Sequence, residues 1–399
     1  MYDVGWGDCF LLRFAYARGA PRHVLIDFGT TASSLAEERE RLMPVANDIR
    51  ERCGGKLDAV VATHRHRDHI GGFTQLKRSA APGNVIARLE PDLVLQPWTE
   101  NPRVQNGEAK ALTGIERFLV SLPKALAALG GEFSPQEQSQ LLAMAQQNYP
   151  NRQAVESLSR LGKRRVYAAA GSRTGLEKIL PGFSVRVLGP VRQAAGSWAD
   201  LLDDQMRETW RSLFPANREW MEGSDTRPLF PNAPHWHPAM APPRMRWFIS
   251  QVNRLRASEV MRLARAAHTE INNTSLVLLI EGFGHRLLFP GDVELRGWAS
   301  ALSRKDSRDA LHDVTLYKAS HHGAGNGTPR SVWSLIGSRA AQLRTMVSRS
   351  RTQFAGAEPF LRTMALGSDL TDTTALRAAG QPYADVELEP LAPPATLVA

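Results

Sequence analysis

Cysteine is scarce in this chain. Cys9 and Cys53 are the only two and no Cys-x-x-Cys pair exists, so neither a disulfide framework nor a thiolate zinc site is available. Long apolar runs are missing as well, and no stretch approaches the ~20 residues of a membrane-spanning helix. The opening MYDVGWGDCFLLRF has neither the basic start nor the small-residue cleavage site of a secretory leader, so a cytoplasmic location is expected. Internal repeats and low-complexity tracts are absent. Acidic residues are outnumbered 40 to 49, leaving a net charge of +9. That excess permits a polyanionic partner such as nucleic acid, although arginine-rich composition also serves plain solubility.

What is present is an ordinary globular composition, 43% apolar and 22% charged over 399 residues. Such a length suits two average domains, or one large domain with an insertion. A sizeable core can be buried, so no metal is required merely to hold the fold.

The first ninety residues read as short strands alternating with helices. Phe10 to Phe14 and His23 to Ile26 have strand length and composition, with turn residues Gly19 to Pro21 between them. Ser33 to Arg50 is patterned as an amphipathic helix, broken or kinked near Pro44. Leu57 to Ala62 and Asp92 to Gln96 look like strands buried on both faces. From Asn101 to about Leu161 the spacing is helical, through Ile115 to Leu129 and Gln138 to Ala145. Strands are again expected at Val166 to Ala170, Val185 to Leu188, Ser275 to Ile280, His285 to Phe289 and Val314 to Ala319. Gly282 and Gly284 mark a hairpin.

Pro190 to His268 is unlike the rest. It carries five of the nine tryptophans (Trp198, Trp210, Trp220, Trp236, Trp247) and prolines including Pro228, Pro231, Pro234, Pro238, Pro242 and Pro243. This reads as an inserted cap whose tryptophans form a small core rather than a base-stacking platform.

The chemistry concentrates in Thr63-His64-Arg65-His66-Arg67-Asp68-His69-Ile70-Gly71-Gly72, directly after an apolar strand. Three histidines and a carboxylate within six positions make a nitrogen and oxygen donor set for zinc, manganese or iron. His64 and His66, two apart on an extended loop, can share one ion. Asp68 and His69, where a helix would start, can face a second. Two ions ~3.5–4 Å apart activate water and neutralise charge on a phosphoryl or acyl oxygen. A solvated histidine-rich loop is the alternative, and the placement after a buried strand argues against it.

This pattern resembles the metal-binding signature of the metallo-β-lactamase superfamily, which implies an α/β fold, a four-layer αββα sandwich. Residue by residue the chain is most similar to the metallo-β-lactamase-like domain of the competence DNA-uptake channel protein. Asp3-Val4-Gly5-Trp6-Gly7-Asp8 is similar to that domain's first strand-turn. Asn273-Thr274-Ser275-Leu276-Val277-Leu278, Leu288-Phe289-Pro290-Gly291-Asp292 and Ser320-His321-His322-Gly323 follow in the same order. The resemblance implies that Asp27, in Val24-Leu25-Ile26-Asp27, supports a ligand histidine from behind. It makes Asp292 the carboxylate bridging two ions and His322, which precedes a glycine, the last ligand of the second. His321 is then left to contact substrate or donate a proton.

Lactamases of the family supply a third histidine to the first ion. His235, His237 and His268 are the candidates, and His268, shortly before the Ser275 strand, is best placed; a helix-capping histidine is the alternative. His23, His285 and His312 flank strands and look structural. On a helix from about Ser250 to Ala267, Arg254, Arg262 and Arg265 share one face. That face is either a phosphate-binding stripe or a solvated surface.

Taken together, residues 1–399 read as one metallo-β-lactamase-like domain with a helical insertion at 101–164 and a Trp/Pro-rich cap at 190–268. The expected activity is that of a dinuclear hydrolase, a phosphodiesterase or nuclease using two divalent ions, Zn2+ or Mn2+. Asp68, Asp292, His321 and Asp27 form its catalytic group. Nucleic acid is the expected partner, no membrane is involved, and a protein partner or homo-oligomer stays open. A hydrolase of a small ester, thioester or lactone is one alternative. A non-catalytic or partner-activated metal-binding module is the other.

Overall fold

Alternation of apolar residues sets two sheets face to face. The computed structural model describes residues 1–32, 34–77, 80–104, 108–148, 151–192, 198–213, 242–337, 343–349 and 358–391. One sheet orders its strands β1 (Cys9–Phe14), β2 (Arg22–Phe28), β3 (Ala59–Val61), β4 (Leu93–Pro97) and β5 (Arg164–Ala168). The other contains β6 (Ser184–Gly189), β7 (Val277–Gly282), β8 (His285–Phe289), β9 (Leu316–Lys318), β10 (Arg344–Val347) and β11 (Asp369–Asp372), in that spatial order.

Val24, Ile26, Ala59, Val61, Leu93 and Leu95 face Leu278, Ile280, Leu287, Phe289, Leu316 and Met346 in the central layer. Their neighbours Leu25, Val60 and Val94 point the other way, onto Leu42, Val45, Ala46 and Ile49 of the helix Leu35–Arg52. On the far side Val277, Leu279, Leu288 and Tyr317 meet Trp298, Val332, Ile336 and Met364 from flanking helices. Because side chains alternate across a strand, each sheet buries both faces, and the result is the four-layer αββα sandwich.

Several boundaries differ from the sequence pattern. The first helix runs unbroken through Pro44, capped by Ser34, instead of stopping there. Burial of Leu42, Val45, Ala46 and Ile49 outweighs the hydrogen bond that proline removes. β5 lies two residues earlier than the Val166 to Ala170 run, paired with β4 from Leu93↔Arg164 onward. β7 and β8 form the hairpin, with Phe283 at φ 51° and Gly284 at φ 83°, as a tight primed turn requires.

The chain divides into two compact units. The first comprises Met1–Arg103, Tyr149–Arg192 and Ile271–Ala399 and contains both sheets. The second comprises Val104–Asn148 and Gln193–Glu270. It draws on both stretches read as insertions, but the Asn151–Leu158 helix belongs to the first unit, where Ala154 and Leu158 pack with Val94. In the second unit Phe118 meets Trp210 edge-on at 6.0 Å, and Trp210 is buried. Trp247 instead is 66% exposed on the long helix Pro243–Asn272. Trp220 and Trp236, like His235, His237 and Pro228 to Pro238, lie outside the described residues. Among the described residues no helix is long and apolar enough to cross a membrane.

Candidate metal centre

The site lies where strands β2, β3, β8 and β9 end, at one edge of the sandwich. β2, β3 and β4 run parallel, as do β8, β9 and β10, so their carboxyl ends deliver loops to the same edge. β1 is antiparallel to β2, pairing Cys9 with Phe28, which places Asp8 at that edge too.

Near the end of β2, one residue before its last, Asp27 takes the left-handed φ of 54°, a conformation that aspartate tolerates better than most residues. Its carboxylate accepts from the Thr63 amide and hydroxyl at 2.7 Å each, and from His69 Nδ1 at 2.8 Å. With Nδ1–H committed to Asp27, the lone pair of the neutral His69 ring falls on Nε2. Beyond Thr63 the chain leaves β3 as a loop and enters the short helix Arg67–Ile70, which presents Asp68 and His69. Gly29 makes this possible: a Cβ there would lie 2.5 Å from the Arg67 carbonyl oxygen and the His69 nitrogen.

Asp68, His69, Asp292 and His322 converge, with ligand atoms within 4.8 Å of one another and all four residues buried. His69 Nε2 lies 3.0 Å from Asp292 Oδ2 and 3.9 Å from Asp68 Oδ2. His322 Nε2 lies 3.1 Å from each of those two oxygens. Donors about 2.0–2.2 Å from a tetrahedral ion stand roughly 3.2–3.6 Å apart, so this set fits one. His322 Nδ1 reaches the Ser348 carbonyl at 2.9 Å, which again leaves Nε2 facing the cluster. His64 and His66 adjoin it: His64 Nε2 is 3.0 Å from His66 Nδ1, and the His64 and His69 ring centres are 4.2 Å apart.

Electrostatics sort these groups by role. Burial alone would raise the Asp68 and Asp292 carboxyls, but the neighbouring histidines, and for Asp292 Lys318 as well, hold both below the usual range. Burial would lower His69 and His322, yet the surrounding carboxylates, Asp292 foremost, raise both. His64 goes the opposite way, lowered by burial and by the charge of His69, and is therefore a neutral donor.

Three groups here were not foreseen from the sequence. Lys318, 1% exposed, sits with Nζ 2.5 Å from Asp8 Oδ2 and 3.0 Å from both Asp292 Oδ1 and the Gly291 carbonyl. Asp8 in turn lies 3.6 Å from His69 Nδ1 and 3.5 Å from His322 Nδ1. The available signal was a lone lysine within the apolar run Val314 to Ala319. Glu294 is the third. It accepts from Asn272 and Asn326 at 2.7 Å each, and its carboxylate is 3.6 Å from His321 Nδ1.

His321 is buried but is not part of the converging group. Both His321 and His322 adopt positive φ, 48° and 52°, which sends consecutive side chains to different neighbours. His268 lies in the second unit on the helix Pro243–Asn272, and the group of converging donors does not include it. Arg254, Arg262 and Arg265 are on the same helix, each exposed and each with a partner inside that unit. Arg254 is 3.4 Å from Glu132, Arg262 bonds Glu259 and Gln205, and Arg265 bonds Gln140.

Comparison with known families agrees with this geometry. Residues 7–138 match the metallo-beta-lactamase superfamily. Members of that superfamily are typically metal-dependent hydrolases, and the His/Asp cluster can hold the metal such chemistry needs. The matched stretch contains Asp8, Asp27, His64, His66, Asp68 and His69. Asp292 and His322 lie beyond it and join the site through the second sheet. No curated protein matches the chain.

Proposed function

We propose that the protein is a dinuclear metal-dependent phosphodiesterase that acts on nucleic acid. The observation that carries the metal reading is the convergence of Asp68, His69, Asp292 and His322 in a buried group. In this reading those four would hold one ion, and His64 and His66, together with Asp292, would hold the other. Bound divalent ions, Zn2+ or Mn2+, would supply Lewis acidity toward a phosphoryl oxygen and activate water.

The chain's own residues do the rest. Asp292 offers Oδ2 to the cluster while Lys318 holds Oδ1. Asp27 keeps the His69 proton on Nδ1. His321 has Asn326 Oδ1 3.2 Å from Nδ1 and the Asn272 amide nitrogen 3.4 Å from Nε2. Glu294 orients both amides, so the neutral ring carries its proton on Nδ1, toward Asn326, and accepts from the Asn272 amide at Nε2.

Support for nucleic acid comes from the +9 charge and the resemblance to the DNA-uptake channel domain. Against it, Arg254 and Arg262 are already paired with acids, which favours a small ester substrate as the second reading. The test is metal analysis followed by assays on single- and double-stranded DNA, RNA and p-nitrophenyl phosphodiesters. Close to two ions per chain and metal-stimulated cleavage are expected, with Asp292→Ala folded but slower by orders of magnitude. Protein that takes up no metal and hydrolyses nothing would sink the proposal.

A further inference from the structure

We propose that Arg65 and Arg67 are positioning residues, which two buried glutamates lock in place so that the loop 64–69 gathers its metal donors before any ion arrives. This rests on the metal reading above. Donors and arginines alternate along the loop, His64, His66 and Asp68 against Arg65 and Arg67. Arg65 makes a two-pronged pair with Glu100, Nε to Oε1 at 2.8 Å and Nη2 to Oε2 at 3.0 Å. Arg67 donates Nε to Glu38 Oε2 at 3.0 Å and Nη2 to the same oxygen. The Arg65 carbonyl also accepts from Asn151 Nδ2 at 2.6 Å.

These anchors come from three separate places. Glu38 is on the helix Leu35–Arg52, Glu100 follows β4, and Asn151 opens the helix Asn151–Leu158. All four charged side chains are at most 10% exposed. Buried ion pairs rarely stabilise a fold more than apolar side chains of the same volume would. If stability alone were at stake, leucine or methionine would serve at these positions. What the pairs add is direction: a forked guanidinium on a fixed carboxylate allows one orientation of the backbone that carries it. With Arg65 and Arg67 fixed on their glutamates, the backbone between and after them holds one course, from which His66, Asp68 and His69 are presented.

The experiment removes each pair whole, so that no charge is left buried alone. Arg67→Met with Glu38→Leu, and Arg65→Met with Glu100→Leu, are compared with wild type by zinc competition against a chromogenic chelator and by thermal melting in chelator. The metal-free melting temperature is expected to hold or rise while zinc affinity falls roughly 10–100-fold, as for other residues that orient ligands. Arg65→Lys and Arg67→Lys keep the charge but lose the fork, and should weaken zinc in the same sense. They decide the matter if the paired replacements fail to fold. Zinc affinity equal to wild type in every folded variant overturns the positioning role. A wild-type protein that binds no zinc overturns the metal reading itself, so the two failures are distinguishable.

Discussion

A single buried lysine shows how tightly the site is balanced. Lys318 faces two carboxylates, and burial, which would lower its ammonium, is overcome by Asp292 and Asp8. Lys318→Met leaves both acids without that partner in the metal-free protein, at a cost of about 3–5 kcal/mol. A bound divalent ion supplies replacement charge, so the loss should shrink when urea unfolding is repeated with saturating zinc. Equal losses with and without metal would mean that Lys318 does not share the field of the ions. The histidines predict a pH dependence of definite sign. His69 and His322 are raised above their unfolded value of about 6.5. Their stabilisation of the metal-free fold is therefore complete below that pH and is lost as pH rises through the raised folded values. Melting in chelator should show the midpoint falling toward alkaline pH. Metal-loaded protein, whose ligands must be deprotonated, should instead bind its ions more tightly over the same range. A metal-free midpoint that rises with pH above neutrality would contradict the assignment.

Elements meet at this site through backbone as much as through side chains. Gly29 follows β2 and lies against the Arg67–Ile70 helix so closely that no Cβ fits. Gly72 is similarly pressed on Phe28, whose carbonyl oxygen would lie 2.6 Å from an added Cβ. Gly29→Ala should therefore push the ligand loop outward, costing about 1–3 kcal/mol and weakening zinc. Denaturant melts together with chelator competition measure both, and an alanine variant with wild-type stability and affinity would refute the close contact. Much at this scale was readable beforehand. The hairpin at Gly282 to Gly284 and the run His285 to Phe289 stand where the pattern put them. β10 and β11 went unforeseen because their sequences, Arg-Thr-Met-Val and Asp-Leu-Thr-Asp, hold no apolar run of strand length.

The sandwich unit carries the candidate metal donors, and the second unit carries the arginine-bearing stretch of the helix Pro243–Asn272. If that helix contributes to nucleic-acid binding, neutralising Arg254, Arg262 and Arg265 together should weaken DNA or RNA about equally across sequences. The salt dependence should flatten by roughly 0.7–0.9 log units per lost contact. Cleavage of a small chromogenic phosphodiester, which needs only the metals, should persist. Unchanged binding and cutting of nucleic acid by the triple variant would mark the face as solvated surface, consistent with its contacts to Glu132, Glu259, Gln205 and Gln140.

What the sequence determined by itself is local. Six consecutive positions holding three histidines and an aspartate, set after an apolar strand, supply the donor types of a metal-binding loop without reference to the rest of the chain. Unbroken apolar runs such as Val24 to Ile26, Ala59 to Val61 and Leu93 to Leu95 likewise specify strands buried on both faces. Tertiary structure decided which distant groups complete the loop. His69 meets Asp292 across 223 positions, and His322 meets Asp68 across 254. No spacing rule reaches so far; only the shared edge of two sheets brings those residues together. The same holds for Asp8, Lys318, Glu38 and Glu100. In sequence they are unremarkable charges, and their meaning comes from burial, where each charge must face another.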